Sequence, residues 1–272
     1  MANFADKYQT LLLRHERSRL HVTLNRPEVK NALNPTLIGE LRAVFEILRD
    51  RRDIKVVVLR GAGGTFCAGA DLKNMEQSFT DKPTPGEKDP IAVWNRGFGT
   101  FLEMVNASPQ VVVAAVEGYA IAGGFGILCV SDVAICTEEA GFAMSETAIG
   151  IVPAQIAPFV AARIGVPQTR HLTLTAARFK GPEAHRLGIA HYLVKDSAAL
   201  DAKLEELLKQ IDRCAPIANA LTKQVVMKVG TEPLSQVLDF AADRFAEARR
   251  GPEASEGLRA FAEKRPPRWA AE

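Results

Sequence analysis

The residues best suited to chemistry lie in two glycine-rich turns, Phe66-Cys67-Ala68-Gly69-Ala70-Asp71-Leu72 and Gly118-Tyr119-Ala120-Ile121-Ala122-Gly123-Gly124-Phe125-Gly126. Residues without bulky side chains let a substrate carbonyl approach the main chain. A helix start adds unpaired N–H groups and partial positive charge. Two such turns can aim two backbone N–H groups at one developing oxyanion. Each follows an apolar run, Ile54-Lys55-Val56-Val57-Val58-Leu59-Arg60-Gly61 and Val111-Val112-Val113-Ala114-Ala115-Val116, that reads as a strand buried on two faces. Glycine after a strand also marks an ordinary tight turn, so the pair of turns weighs more than either alone. A third candidate is Glu146, which follows a strand-like segment around Phe142 and precedes the apolar Ile149-Gly150-Ile151-Val152-Pro153. Glutamate is rarely buried without a partner or a job, and a solvated loop residue is the plain alternative.

Other chemistries find no support. A dinucleotide site needs Gly-x-Gly-x-x-Gly, and both Gly61-Ala62-Gly63 and Gly124-Phe125-Gly126 fail to complete it. His15-Glu16 begins like a zinc-protease motif, but Arg19 stands where the second histidine belongs, so no metal site is expected. No Gly-x-Ser-x-Gly elbow is present. His171, His185 and His191 fall in a surface-helix region and suit solvated or capping roles.

The chain has 272 residues, 47% hydrophobic, enough for one large domain or a domain with a helical appendix. Lys plus Arg number 34 against 32 Asp plus Glu, so the net charge of +2 argues against a nucleic-acid surface, and an anionic ligand must be met by local cations. Cys67, Cys129, Cys136 and Cys214 form no close pair, which favours reduced thiols in a cytoplasmic setting, with core packing the plain reading of all four. The start lacks a basic segment followed by an apolar one, and no apolar run approaches the ~18 residues of a membrane span, so neither secretion nor insertion is expected.

The elements that must position these residues are legible in outline. Residues 11–24 read as two short strands. Leu37, Leu41, Phe45 and Leu48 give near-helical spacing over 35–50, with Asn34 as N-cap and Pro35 at the first position. A helix is predicted near Asp71, a mobile loop over 77–90, and a helix over 91–106. Strands and helices alternate in α/β fashion. From Asp196 onward the pattern is nearly all helical, with Pro216, Pro233 and Pro252 marking helix starts and apolar stripes that must be buried somewhere.

The stretch Asn25-Arg26-Pro27-Glu28-Val29-Lys30-Asn31-Ala32-Leu33-Asn34 and the two glycine turns, in this order and spacing, resemble the three signature stretches of the crotonase (enoyl-CoA hydratase/isomerase) superfamily. The likeness extends through Phe142 to Gly150 and on to Phe261-Ala262-Glu263-Lys264-Arg265-Pro266-Pro267, covering nearly the whole chain. It implies an α/β fold: a spiral of ββα units over residues 1–195 carrying the coenzyme A and oxyanion site, and a C-terminal helical trimerisation region over 196–272. It also implies trimers, often paired into hexamers.

By this resemblance the N–H groups of Ala70 and Gly123 hold a thioester oxygen, and Glu146 takes the place of the family's second catalytic glutamate. Lys30, Ala32, Ala68, Asp71, Leu72 and Gly124 match coenzyme A-binding positions. Phe261 and Lys264 match a C-terminal pair that meets coenzyme A from a neighbouring subunit; plain solvated surface is the alternative for both lysines. The family's first catalytic glutamate falls at Gly126, which either permits close helix packing or leaves room for a branched or carboxylated acyl group. This departure, with the run from Ile151 to Val160, resembles the 3-methylglutaconyl-CoA and isohexenylglutaconyl-CoA hydratases of leucine and acyclic-terpene breakdown. The expectation is a hydro-lyase with one catalytic carboxylate and no cofactor, coenzyme A being part of the substrate. An enoyl-CoA isomerase on the same scaffold and an RNA-binding protein are the rivals.

Overall fold

The computed structural model describes residues 4, 8–71 and 86–270. The helix predicted near Asp71 and most of the loop predicted over 77–90 lie outside the described residues.

Strands β1 (Leu11–Glu16) and β2 (Arg19–Leu24) pair antiparallel, as the two short strands predicted over 11–24. Alternation in β2 puts Leu20, Val22 and Leu24 inside and leaves Arg19, His21 and Thr23 partly exposed. From β2 the pairing runs parallel through β3 (Val56–Gly61), β4 (Val111–Val116), β6 (Val133–Thr137) and β9 (Tyr192–Val194), completing a six-stranded sheet. In β3, Val57 and Leu59 enter one apolar cluster and Val56 and Val58 the other, so both faces are buried as the unbroken β-branched run requires. A smaller sheet is built from β5 (Tyr119–Ile121), β7 (Gly141–Ala143) and β8 (Arg178–Lys180). Chain order alternates between the sheets: β4 is followed by β5, and β6 by β7. This is the winding expected of a ββα spiral.

Helix α1 (Pro35–Leu48) is capped by Asn34, whose Oδ1 accepts from Leu37 N at 2.8 Å, and it buries Leu37, Leu41, Val44, Phe45 and Leu48. Helix α2 (Pro90–Asn106) is capped by Asp89 and buries Phe101, Leu102 and Val105. The short α3 (Gly123–Cys129) is buried from Gly124 to Cys129. Then come α4 (Ala157–Ile164), α5 (Val166–Thr175) and α6 (Gly181–Arg186).

The helical stretch predicted from Asp196 begins with α7 (Ser197–Asp212). Its Leu200, Leu204, Leu207, Leu208 and Ile211 cover Val56, Val58, Val113 and Ile135 on the second face of the large sheet. Helices α8 (Pro216–Lys228), α9 (Leu234–Arg250) and α10 (Pro252–Ala262) start at or just after the three prolines that marked them. Lys223 ties α8 down, its Nζ donating to Ser108 O (2.8 Å), Gln110 O (2.7 Å) and Asp132 Oδ2 (2.5 Å). Only Val237 of α9 is buried.

The four cysteines are free, but they do not share one environment. Cys67, Cys129 and Cys136 are core residues with thiols pushed up to about 12 by burial. Cys214 is exposed beyond the end of α7, which corrects the expectation that all four pack inside.

Candidate active site

Three parallel segments in register bring the candidate groups together. Cys67 bridges Ala120 of β5, and Ala120 pairs with Phe142 of β7. The bridge is made by Cys67 N donating to Tyr119 O at 2.7 Å and Ile121 N to Cys67 O at 2.9 Å. Counting forward from Cys67, Ala120 and Phe142, Ala70 and Gly123 each stand three residues on, and Glu146 four. All three therefore emerge at the carboxyl ends of neighbouring parallel segments, where open α/β sheets place their ligands.

The N–H groups of Ala70 and Gly123 donate to no acceptor among the described residues. Gly123 is the first residue of α3, where no intrahelical acceptor exists. Each donor is preceded by a residue with positive φ, Gly69 at 95° and Ala122 at 48°. The two face each other: a Cβ on Gly69 would stand 3.0 Å from Ala122 Cβ and 3.1 Å from Ile121 O. Backbone strain at Ala122, a non-glycine residue in this region, is held by Ala122 N donating to Ala143 O at 2.9 Å. These turned peptides aim the following N–H groups away from the strand ladder.

The loop from Arg26 to Asn34 braces the first turn. Ala68 N donates to Lys30 O (3.0 Å), Leu33 N to Gly69 O (2.7 Å) and Asp71 N to Leu33 O (2.9 Å). Asn31, fully buried with φ of 56°, donates from Nδ2 to Ala62 O and Thr65 O and accepts from Arg26 N. Arg26 bridges Ala32 O and the Asp71 carboxylate, the latter at 2.9 Å. Arg26 and Asn31 lie in the first signature stretch but were given no role from the sequence; their contacts around the glycine turn appear only in the fold.

Glu146 opens a short 3-10 turn (Glu146–Ile149) three residues past the end of β7. It is buried at 9% exposure, and its Oε2 has no hydrogen-bond partner among the described residues. Burial raises its pKa above the ordinary 4.5, offset in part by its own backbone N–H. A buried carboxylate oxygen without a partner is costly to keep and is suited to accepting a proton.

At Gly126 the structure decides between the two readings offered by the sequence. A Cβ there would overlap Ile156 Cγ2, lie 3.0 Å from Ile156 Cβ and lie 3.6 Å from Leu102 Cδ1. The space left by the missing side chain is filled by Ile156, so the expectation of room for an acyl group at this point is corrected to close packing. Gly126→Ala is therefore expected to destabilise the fold: overpacking costs about 1–3 kcal/mol and outweighs the helix-propensity gain of about 1 kcal/mol. Urea unfolding measures it, and stability at or above that of the parent would show that Ile156 yields freely.

Lys30, with left-handed φ of 53°, holds its ammonium 5.2 Å from the centre of the Tyr119 ring. Ala32 and Gly124 are buried, Ala68 is half-buried, and a Cβ on Gly124 would stand 2.6 Å from Cys67 Cβ. The Asp71 carboxylate is engaged by Arg26, and Leu72 lies outside the described residues. Phe261 on α10 is 86% exposed, and Lys264 adopts φ of 54° just beyond that helix. The segment around Lys264 is anchored by Arg265 to Glu256 at 2.7 Å, and the arginines beside Glu256 hold its carboxyl well below the usual range. His171 is exposed on α5, while His185 Nδ1 meets Ala190 O at 3.1 Å and His191 Nδ1 accepts from Ala134 N at 3.0 Å, structural contacts for the latter two. A groove of about 550 Å³ between His21, Val58 and Leu204 contains none of the candidate residues. Its two arginines are already paired, Arg60 with Glu117 and Asp201 and Arg14 with Glu16.

Residues 14–272 match the family described as Enoyl-CoA hydratase/isomerase. The chain is 44% identical to an enoyl-CoA hydratase/isomerase from Marinobacter aquaeolei, with a TM-score of 0.93 over 96% of this chain and 99% of that one. It is 50% identical to Pseudomonas aeruginosa AtuE, with a TM-score of 0.91 over 96% and 100% of the two chains. Carnitinyl-CoA dehydratase of Escherichia coli is 31% identical over 96% of this chain and 98% of its own. The signature turns, their geometry and these likenesses agree: the chain belongs to the enoyl-CoA hydratase/isomerase family of the crotonase superfamily and is an enzyme of the enoyl-CoA hydratase type.

Proposed function

We propose that the enzyme adds water across the α,β double bond of a branched glutaconyl-CoA, with Glu146 as its one catalytic carboxylate. The observation that carries this reading is a buried Glu146 Oε2 and two backbone donors, all without partners among the described residues, at the ends of neighbouring parallel segments. The N–H groups of Ala70 and Gly123 hold the thioester oxygen as it gains enolate charge. Glu146 takes a proton from water as the water oxygen bonds to the β-carbon, then returns a proton to the α-carbon. The reaction is proton transfer plus addition, and it calls for no cofactor beyond the coenzyme A of the substrate.

The substrate class rests on the sequence resemblance to the glutaconyl-CoA hydratases; Gly126, packed against Ile156, adds only that no second carboxylate stands at that position to repel an acidic acyl group. A panel of crotonyl-CoA, 3-methylglutaconyl-CoA and isohexenylglutaconyl-CoA tests it. A branched glutaconyl ester is expected to give the highest kcat/KM; a clear preference for crotonyl-CoA overturns the assignment.

Assembly belongs to the same reading. Leu234, Leu238 and Phe245 form an exposed helical stripe on α9, and Leu258 and Phe261 expose more apolar surface on α10. Such a surface suits contact with another copy of the chain, and we read the enzyme as a homotrimer or a pair of trimers in which Phe261 and Lys264 meet a neighbour's coenzyme A. No helix among the described residues is long and apolar enough to cross a membrane.

A further inference from the structure

Helix α2 carries a glycine at its buried centre, where alanine would favour the helix more. The neighbour of Gly99 supplies the reason: a Cβ there would overlap Gln155 Oε1 and stand 3.1 Å from Arg96 Nη1. Gln155 is seated in that notch, and its Nε2 donates to Asn95 Oδ1 at 2.9 Å. Both amides are half-buried, and Asn95 enters this bond as the acceptor, which leaves its Nδ2 group to donate elsewhere. The glycine thus makes room for a polar pair, and a guanidinium reaches the same spot.

This pair stands beside the reaction site. Asn95, Phe98, Gly99 and Leu102 recur at helical spacing on one face of α2. The Phe98 ring comes within 3.3 Å of where a Gly123 Cβ would be, and Leu102 approaches Gly126, so this face lies against α3 and its donor. Gln155 adjoins Ile156, which packs on Gly126, and belongs to the segment leading away from Glu146. In the proposed pose, with the carbonyl at Gly123 and the β-carbon at Glu146, α2 and this segment form the nearest described wall for the distal carbons of the acyl group.

We infer that Asn95 and Gln155, with Arg96 behind them, bind the distal carboxylate of the acyl group and select acidic enoyl-CoA esters over neutral ones. The inference rests on the glutaconyl reading above and names the groups that would recognise its second carboxylate. Amide donors can meet a carboxylate without a buried countercharge, and Arg96, also paired with Glu103 at 2.9 Å, adds partly screened positive potential.

The test compares 3-methylglutaconyl-CoA with 3-methylcrotonyl-CoA, which keeps the branch and lacks the carboxylate. The parent enzyme is expected to favour the acidic ester. Asn95→Leu and Gln155→Leu are each expected to lower that preference by about 10- to 100-fold, chiefly by raising KM for the acidic ester. Asn95→Asp, which keeps size and adds a like charge, guards against misfolding of the leucine variants and is expected to lower the preference at least as much. A parent enzyme without the preference overturns the glutaconyl reading and this assignment together. A parent that has it, with folded variants that retain it, overturns the assignment of Asn95 and Gln155 while leaving the reading intact.

Discussion

Glu146→Gln lowers kcat by about 10²–10⁴ and leaves the affinity for an acyl-CoA within a few-fold, because the amide keeps the shape and loses the proton acceptor. The same substitution is expected to stabilise the fold at neutral pH. Burial raises the Glu146 pKa, so the protonated form is the one the folded state favours. That contribution to stability is fully present below the unfolded value and is lost as pH rises through the folded one. At pH 7 the ionised carboxylate is a cost that glutamine removes, and the advantage shrinks in acid. In the parent enzyme, kcat/KM should fall as pH drops through the raised value, since protonation removes the base. Near-normal turnover of the folded variant removes Glu146 from its role.

The second large effect is expected at Ala70, where proline deletes the N–H and serine keeps it. Ala70 is exposed, and its N–H serves no hydrogen bond of the fold among the described residues, so the loss falls on the reaction. Ala70→Pro should lower kcat by about 10²–10³, and Ala70→Ser should cost far less. Circular dichroism establishes that both variants fold before rates are compared. Equal rates in folded variants would sink the oxyanion assignment.

Local signals foretold much of this structure. The cap at Asn34, the β-branched runs and the helix-starting prolines act within a few residues, and the elements follow them. The two turns and Glu146 were visible because small residues after strands and a carboxylate amid apolar neighbours are both unusual choices. What sequence left open depends on contacts between distant segments. The alignment of Cys67, Ala120 and Phe142 is a matter of sheet register. Ile156 and Gln155 occupy the notches at Gly126 and Gly99, and nothing along the chain announces either partner. Asp71 showed its charge in the sequence, but its ion pair with Arg26 became visible only in the folded loop.

The most direct test of the central claim is isotopic. When 3-methylglutaconyl-CoA is incubated with the parent enzyme in deuterated, oxygen-18-enriched water, mass spectrometry should find product with one heavy oxygen on the β-carbon and one deuterium on the α-carbon. Glu146→Gln should form it at a rate lower by about 10²–10⁴. Deuterated acyl-CoA with a shifted double bond and no heavy oxygen would contradict the account, showing that the carboxylate moves protons without adding water.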